Sequence, residues 1–250
     1  MSPIGTAIVA FFLILGGTIA GTLVRSRMPE HHLTGDSKDV IRVATALVAS
    51  LTALVLALMF AATRTSFEHT SAAVSRLAID FRELDEILQD YGPEGLPIRA
   101  QLRAEIGPLI ASIWHDQAPS GRRSGAVRRS HGAGALAMIR ELKPATPAQS
   151  SLQARAVQVA NDISQARLSL FAQPPDSVSR PFMIVLVLWL TFIFTTFAMS
   201  SKPNATLMTV LCVCILSASA ALYLILELGL PFGGLMTVSS ESLRSALPPI

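Results

Sequence analysis

The chain has 250 residues, of which 51% are hydrophobic and 15% are charged, and its mean hydropathy is +0.50. This composition is too apolar for an ordinary soluble domain and predicts a membrane protein. The formal net charge of +3 provides no strong basic field, so we expect no nucleic-acid partner. Cys212 and Cys214 are two residues apart in an apolar run, a spacing that disfavours a disulfide and matches no metal motif. We expect neither a bound metal nor a cofactor.

The first predicted element is a transmembrane helix over residues 3–24. This run is apolar and lacks both the basic start and the cleavage site of a signal peptide, so we expect a retained helix instead of a cleaved leader. Gly17 and Gly21 form a small-xxx-small pair, which predicts close packing against another helix. A polar hairpin follows, and its adjacent histidines, His31 and His32, fit either a solvated loop or a metal or proton site.

The second predicted helix organises the chain. Residues 40–91 contain neither Gly nor Pro, and one helix of this length reaches roughly 80 Å, far beyond the ~30 Å hydrocarbon core. Its first half, 43–63, is uncharged and predicts the second span. Its second half has apolar residues at alternating spacings of three and four, the pattern of a coiled-coil seam. The seam residues are Val74, Leu77, Phe81, Leu84, Leu88 and Tyr91.

Small side chains follow one row of the second span at a spacing of four residues, and large side chains are absent from that row. The row predicts either tight packing against another helix or the lining of a narrow pore, where small residues leave room for water and ions. In the pore interpretation an aromatic ring, Phe60 or Phe67, narrows one end. The candidate pore-lining residues are Thr45, Ala49, Thr52, Ala53, Ala57, Phe60, Ala61 and Phe67.

Beyond the first two spans, in residues 1–63, we expect a helical soluble domain over residues 64–179. A helix over about 98–114 has an apolar face, and Gly107-Pro108 inside it predicts a kink or a break. Residues 118–134 form a basic loop that can touch lipid headgroups, attract small anions or simply be solvated. Thr146-Pro147 is a helix-start signal, and a third soluble helix follows it.

Two further uncharged apolar runs, 181–200 and 205–226, predict the third and fourth spans, within a segment over 180–227. A Pro/Gly turn and a short C-terminal helix are expected over 228–250. Glu227 abuts the fourth span, where it can mark the membrane boundary, bind a cation or pair with an arginine.

No catalytic motif emerges from the sequence. It contains no Gly-rich phosphate loop, no Gly-x-Ser-x-Gly elbow and no His-Glu-x-x-His pair. The acids of the long helix alternate with the seam residues, as on the solvated face of a coiled coil. These acids are Asp80, Glu83, Asp85, Glu86 and Asp90. We therefore expect no enzymatic activity.

Several segments together resemble the bacterial bestrophin-like membrane proteins. The most specific is Pro231-Phe232-x-Gly234 behind an acid, although that family more often has Asp where this chain has Glu227. The other segments are His31-His32-Leu33, Ser37-Lys38-Asp39-Val40, the long helix, Arg167, Leu235 and Ser239. The family-motif candidates are His32, Glu227, Pro231, Phe232 and Gly234.

The resemblance to bestrophins implies a homo-oligomeric, pentameric anion channel whose second membrane helix lines the pore. It implies a multi-pass protein of the bacterial cytoplasmic membrane, with the soluble domain and both termini in the cytoplasm. The implied partners are copies of the same chain, the lipid bilayer and inorganic anions. The acidic calcium clasp of bestrophins has no legible counterpart in this sequence, so calcium gating is not expected.

The residues leave a second hypothesis open, a membrane-anchored scaffold that conducts nothing. Its seam would hold a helical bundle or a partner coiled coil. The seam can close within one chain, against the helix after Thr146-Pro147, or between chains. Both hypotheses share one fold class: an all-α membrane protein with four transmembrane helices and a helical soluble extension built on the long second helix.

Overall fold

A computed structural model describes residues 2–27, 36–115, 133–172, 180–200, 204–234 and 236–246. These residues form α-helices and contain no strand, so the predicted all-α class is confirmed. The helices are α1 (Pro3–Arg27), α2 (Asp36–Tyr91), α3 (Leu96–His115), α4 (Ala133–Glu141), α5 (Pro147–Ala172), α6 (Arg180–Ser200), α7 (Ala205–Leu228) and α8 (Glu241–Arg244). Among them α1, α2, α6 and α7 are long and apolar enough to cross a membrane.

Helix α2 is one element of 56 residues, which confirms the predicted long second helix. No Gly or Pro interrupts it. It ends at Tyr91 because Gly92 adopts a φ of 114°, a backbone conformation that other residues rarely adopt. A short 3-10 turn, Pro93–Gly95, then leads directly into α3.

The chain divides into two compact units, and the first holds the candidate spans. This membrane unit comprises Met1–Ser66 and Asp176–Leu230. Helix α1 packs along both α6 and α7. The buried residues at the centre of the unit are Ala10, Met183, Leu186 and Leu222.

Two glycines allow α1 to approach α6 closely. A Cβ atom added at Gly17 would lie 2.5 Å from Cγ2 of Thr191, and one added at Gly21 would lie 2.6 Å from the backbone oxygen of Thr195. Real Cβ atoms do not come this close to other heavy atoms. The structure therefore places Gly17 and Gly21 at a helix contact in which only hydrogen atoms fit.

The second unit, called the extramembrane unit below, comprises Phe67–Pro175 and Pro231–Ile250. The six seam residues of α2 are all buried in its core, each 3% exposed or less. The same core contains the apolar faces of α3 and α5. Arg155 of α5 also pairs with Glu83 of α2 at the surface. The seam therefore closes within one chain, against α3 and α5.

Helix α3 passes through Gly107-Pro108 without a break, so the second of the two predicted alternatives, a kink or a break, does not occur. Pro108 lacks the N–H that would donate to the preceding turn. Both residues are exposed, and Gly107 has nothing within 4 Å of an added Cβ atom. Ile106 and Leu109, on either side, are 8% and 2% exposed. Their burial holds both halves of α3 on the core.

Helix α5 begins where the sequence predicts. The backbone N–H of Gln149 donates to Oγ1 of Thr146 at 3.1 Å, so Thr146 caps the helix and Pro147 occupies its first position. Nε2 of Gln149 donates to the carbonyl oxygen of Tyr91 at 3.2 Å. The first turn of α5 is thereby joined to the last turn of α2.

Asp85 is buried, so the expectation of a solvated face is wrong for this residue. It is 4% exposed, and Arg99 of α3 donates to both of its carboxylate oxygens at 2.8 Å. Arg103 donates to the same carboxylate at 3.2 Å. By contrast, Glu86 is exposed and pairs with Arg82 one turn earlier in α2. Asp85 thus joins α2 to α3 through charge-assisted hydrogen bonds.

Candidate functional site

The membrane half of α2 has three faces, and the inner face carries threonines. Thr45, Thr52 and Thr63 are 3%, 4% and 2% exposed. Each hydroxyl donates to a carbonyl oxygen one turn earlier in α2, at distances of 2.7–2.9 Å. The inner face is therefore covered by the chain itself, and its hydroxyls are satisfied by their own helix. Further residues packed on the membrane core are Val55, Leu56 and Met59.

The second face carries small side chains and is exposed in the chain. Ala53, Ala57 and Ala61 are exposed, and Ala49 is half-buried at the edge. Residues spaced by four turn about 40° around a helix at each step. The row therefore changes face along the helix: Thr45 is buried on the inner face, whereas Ala53, two steps later, is exposed. We call Ala53, Ala57 and Ala61 the small face.

The third face carries leucines. Leu47, Leu51, Leu54 and Leu58 are 62%, 51%, 57% and 61% exposed. Large apolar side chains suit contact with lipid tails, whereas they would fill the space around a narrow pore. The two exposed faces of α2 thus differ in side-chain volume. Of the residues predicted to line a pore, Thr45 and Thr52 lie on the packed face, and the three exposed alanines form the small face.

The two aromatic candidates have different surroundings. Phe60 is 41% exposed and lies within about 20° of Ala53 around the helix axis. Phe67 is partly buried and packs against the core of the extramembrane unit. Phe60 therefore flanks the small face, whereas Phe67 belongs to a hydrophobic core.

Glu227 lies in the last turn of α7 and is 3% exposed. The backbone N–H of Leu230 donates to the carbonyl oxygen of Glu227 at 3.0 Å. Glu227 is therefore buried in the packed interior of the membrane unit.

The Pro231-Phe232-x-Gly234 motif forms a turn that anchors the C-terminal segment. Gly234 has a φ of 109°, and the backbone N–H of Val238 donates to the carbonyl oxygen of Pro231 at 2.8 Å. The ring of Phe232 meets Trp114 of α3 edge to face, with centroids 5.3 Å apart. Three of the family-motif candidates therefore shape a structural turn.

Trp114 has a hydrogen-bond partner that the sequence does not predict. Its Nε1–H donates to the carbonyl oxygen of Val238 at 2.9 Å, across 124 residues of sequence. A partner this remote has no local signal in the sequence. The only available cue is that a partly buried tryptophan needs an acceptor for its N–H.

Sequence reasoning also missed a second buried ion pair. Nη1 of Arg167 lies 4.0 Å from Oε2 of Glu105, and both side chains are nearly buried. Nε2 of Gln101 donates to the same carboxylate at 3.2 Å. Burial lowers the pKa of Arg167, and the charge of Glu105 opposes that shift. Arg167, noted in the sequence only for its resemblance, thus has a structural role between α5 and α3.

Several predicted sites lie outside the described residues. They include His31, His32, Leu33 and Leu235, and residues 118–132 of the basic loop. Within the ranges that the structure describes, no three His, Cys, Asp or Glu side chains form a group that could hold a metal ion. The exposed small face of α2 is the feature of the described chain that best fits a functional surface.

A family model described as Bestrophin-like domain matches residues 12–243. No curated protein and no solved structure matches the chain significantly. The matched range includes all of α2, the small face, Glu227 and the Pro231-Phe232-x-Gly234 turn. It also covers the candidate spans α2, α6 and α7 and most of α1. The chain therefore belongs to the bestrophin-like family of membrane proteins.

Proposed function

We propose that the protein is a homo-oligomeric channel whose pore is lined by the small face of α2 and which conducts inorganic anions. The observation that carries the proposal is the exposure of Ala53, Ala57 and Ala61 next to a covered inner face. Family membership supports the same conclusion, because bestrophins are often anion channels.

A single copy of α2 cannot enclose a pore, so the proposal requires several copies around one axis. Alanine side chains at the axis leave space for water and ions, whereas leucines in the same place would close it. Phe60, at the edge of the small face, narrows one end, where an apolar ring can gate by dewetting. The resemblance to bestrophins favours five copies.

The burial of the seam counts against one form of the scaffold alternative, in which the seam holds a partner coiled coil. A partner coiled coil would need the apolar residues of the seam, yet Leu84 and Leu88 are each 1% exposed inside the chain. A partner could reach them only by displacing α3 and α5. The channel proposal has no such requirement, since the small face is exposed in the folded chain.

The proposed setting is the bacterial cytoplasmic membrane, with the extramembrane unit and both chain termini in the cytoplasm. The proposed partners are other copies of the chain, the bilayer and the conducted anions. A channel of this kind needs no catalytic site and no cofactor, and we propose neither.

The test compares two tryptophan substitutions in neighbouring positions. Ala53→Trp places a large ring on the small face, and Leu54→Trp places the same ring on the leucine face. Native mass spectrometry first establishes that each protein assembles like the wild type. Chloride efflux from liposomes is then measured. We expect Ala53→Trp to reduce efflux about tenfold or more, because the ring obstructs the axis, and Leu54→Trp to leave efflux nearly unchanged.

Two outcomes would count strongly against the proposal. An assembled Ala53→Trp protein with wild-type efflux would mean that the small face does not line the conducting path. A monomer or a closed dimer of the wild-type protein would also contradict it, because neither arrangement surrounds an axis with small faces.

A further inference from the structure

We infer that Arg42 and Arg64 make the pore selective for anions by placing a ring of positive charge at each end of the small face. The inference rests on the proposed function, since such rings form only when several copies surround one axis. It names a property that alanine side chains cannot supply. They leave room for water but do not distinguish chloride from potassium.

Both arginines lie on the same side of α2 as the small face. Arg42 precedes Ala53 by 11 residues and Arg64 follows it by 11, so each lies within about 20° of Ala53 around the helix axis. All three residues are exposed. The two arginines are about 33 Å apart along the helix, close to the thickness of a hydrocarbon core. They therefore mark the two ends of one face of the span.

At each end of the uncharged run 43–63, an arginine comes first and an acid second. Residues 43–63 contain no ionisable side chain, so an arginine is the first charge beyond this run in either direction. An exposed acid comes next at each end: Asp39 is three residues beyond Arg42, and Glu68 is four residues beyond Arg64. Each acid lies about one turn farther from the hydrocarbon, where water and salt screen it more strongly. The charged side chain nearest to the uncharged run is therefore positive at both ends.

Rings of arginine or lysine are a known source of anion selectivity in pores. Around a shared axis, each ring concentrates several guanidinium groups at the entrance of an uncharged segment with low-dielectric walls. Such walls focus the field and raise the local concentration of the attracted ion by about tenfold or more. The rings would repel cations by the same field.

Arginines at the ends of a span have a second common role, because their side chains reach the lipid headgroups. The two roles predict different results. A headgroup anchor affects insertion and stability, whereas a selectivity ring changes the ratio of chloride to potassium permeability. A measurement of that ratio separates them.

The experiment measures reversal potentials in planar bilayers under an about tenfold gradient of KCl. It compares the wild-type oligomer with Arg42→Gln, Arg64→Gln and the double variant. Arg76→Gln is the matched control, since Arg76 is also an exposed arginine of α2 but lies about 120° away from Arg64 around the helix. We expect the permeability ratio to fall about threefold or more in each single variant, to approach one in the double variant and to stay unchanged in the control.

If a glutamine variant fails to assemble, two further measurements still test whether the arginine charges set the permeability ratio. Arg64→Lys retains the charge and should retain the wild-type ratio. Raising the salt concentration should lower the wild-type ratio, because mobile ions screen the rings. A ratio that does not change with salt would contradict the inference without any substitution.

The outcomes distinguish the inference from the function on which it rests. A wild-type oligomer that carries no current overturns the channel proposal and the inference with it. If the wild-type oligomer conducts and the double variant has the same permeability ratio, the inference alone is overturned. The arginines are then headgroup anchors. A fall in the ratio in the Arg42 and Arg64 variants, but not in Arg76→Gln, supports it.

Discussion

A single methyl group at Gly21 should push α1 away from α6. The added Cβ atom would lie 2.6 Å from the backbone oxygen of Thr195, and a backbone atom cannot swing aside as a side chain can. One of the two helices must therefore move. Gly16 in the same helix is the matched control, because nothing lies within 4 Å of a Cβ atom added there.

The sign of the effect differs between the two glycines. Alanine is better than glycine inside a helix by about 0.5–1 kcal/mol, and both variants gain this term. Forcing extra atoms into a tightly packed contact costs about 1–3 kcal/mol, and only Gly21→Ala incurs this cost. Because the contact is with a backbone atom, we take the upper part of this cost and expect the Gly21→Ala protein to lose about 1–2 kcal/mol of unfolding free energy in net terms. The Gly16→Ala protein should be at least as stable as the wild type.

The assay is the midpoint of thermal unfolding in one detergent, followed by circular dichroism at a fixed scan rate. For a chain of this size, 1 kcal/mol corresponds to about 2–4 °C, so Gly21→Ala should lower the midpoint by about 2–8 °C. A Gly21→Ala protein that melts with the wild type would refute the close approach of α1 and α6. A Gly16→Ala protein that melts as early as Gly21→Ala would refute the distinction between the two glycines.

Two further predictions concern the extramembrane unit. Leu84→Ala should lower the unfolding free energy by about 2–5 kcal/mol in a denaturation assay, because Leu84 is 1% exposed. The control is Ile79→Ala at a 65% exposed position of the same helix, which should cost less than about 1 kcal/mol. Asp80→Asn should stabilise the protein at pH 7, because burial, opposed by Arg76 and reinforced by Asp162, raises the pKa of Asp80 above its ordinary value. The folded state then binds the proton of Asp80 more tightly than the unfolded state does. The stability of the wild type therefore falls as the pH rises from the ordinary pKa of aspartate through the raised pKa of Asp80. The advantage of the Asp80→Asn protein over the wild type should accordingly vanish as the pH falls below the ordinary pKa of aspartate, and an advantage independent of pH would contradict this explanation.

The long helix and its seam could be predicted from the sequence because both depend on local pattern. An interval without Gly or Pro permits one helix, and alternating spacings of three and four place Leu77, Leu84 and Leu88 on one side of it. The start of α5 is also local, since Thr146 caps a helix that opens with Pro147. In each case the residues that determine the structure lie within a few positions of the helix or helix end that they specify.

Other features depend on which remote residues meet, and the sequence does not contain that information. Asp85 has the spacing of a solvated heptad position, yet Arg99 and Arg103 bury it when α3 folds back. The candidate pore row shows a different kind of error. A spacing of four suggests one straight stripe, but its 40° rotation at each step carries it from the packed position of Thr45 to the exposed position of Ala53.

The bond between Trp114 and Val238 has a consequence for biosynthesis. The extramembrane unit is assembled from two stretches of sequence, and the later one begins only after α7. Leu243, fully buried in its core, follows α7 in the sequence and so leaves the ribosome after it. The unit therefore cannot be complete while the ribosome is still translating α7. Until α7 and the segment after it have been synthesised, the core formed by α2, α3 and α5 is incomplete. During this period its apolar surface is exposed to chaperones and proteases.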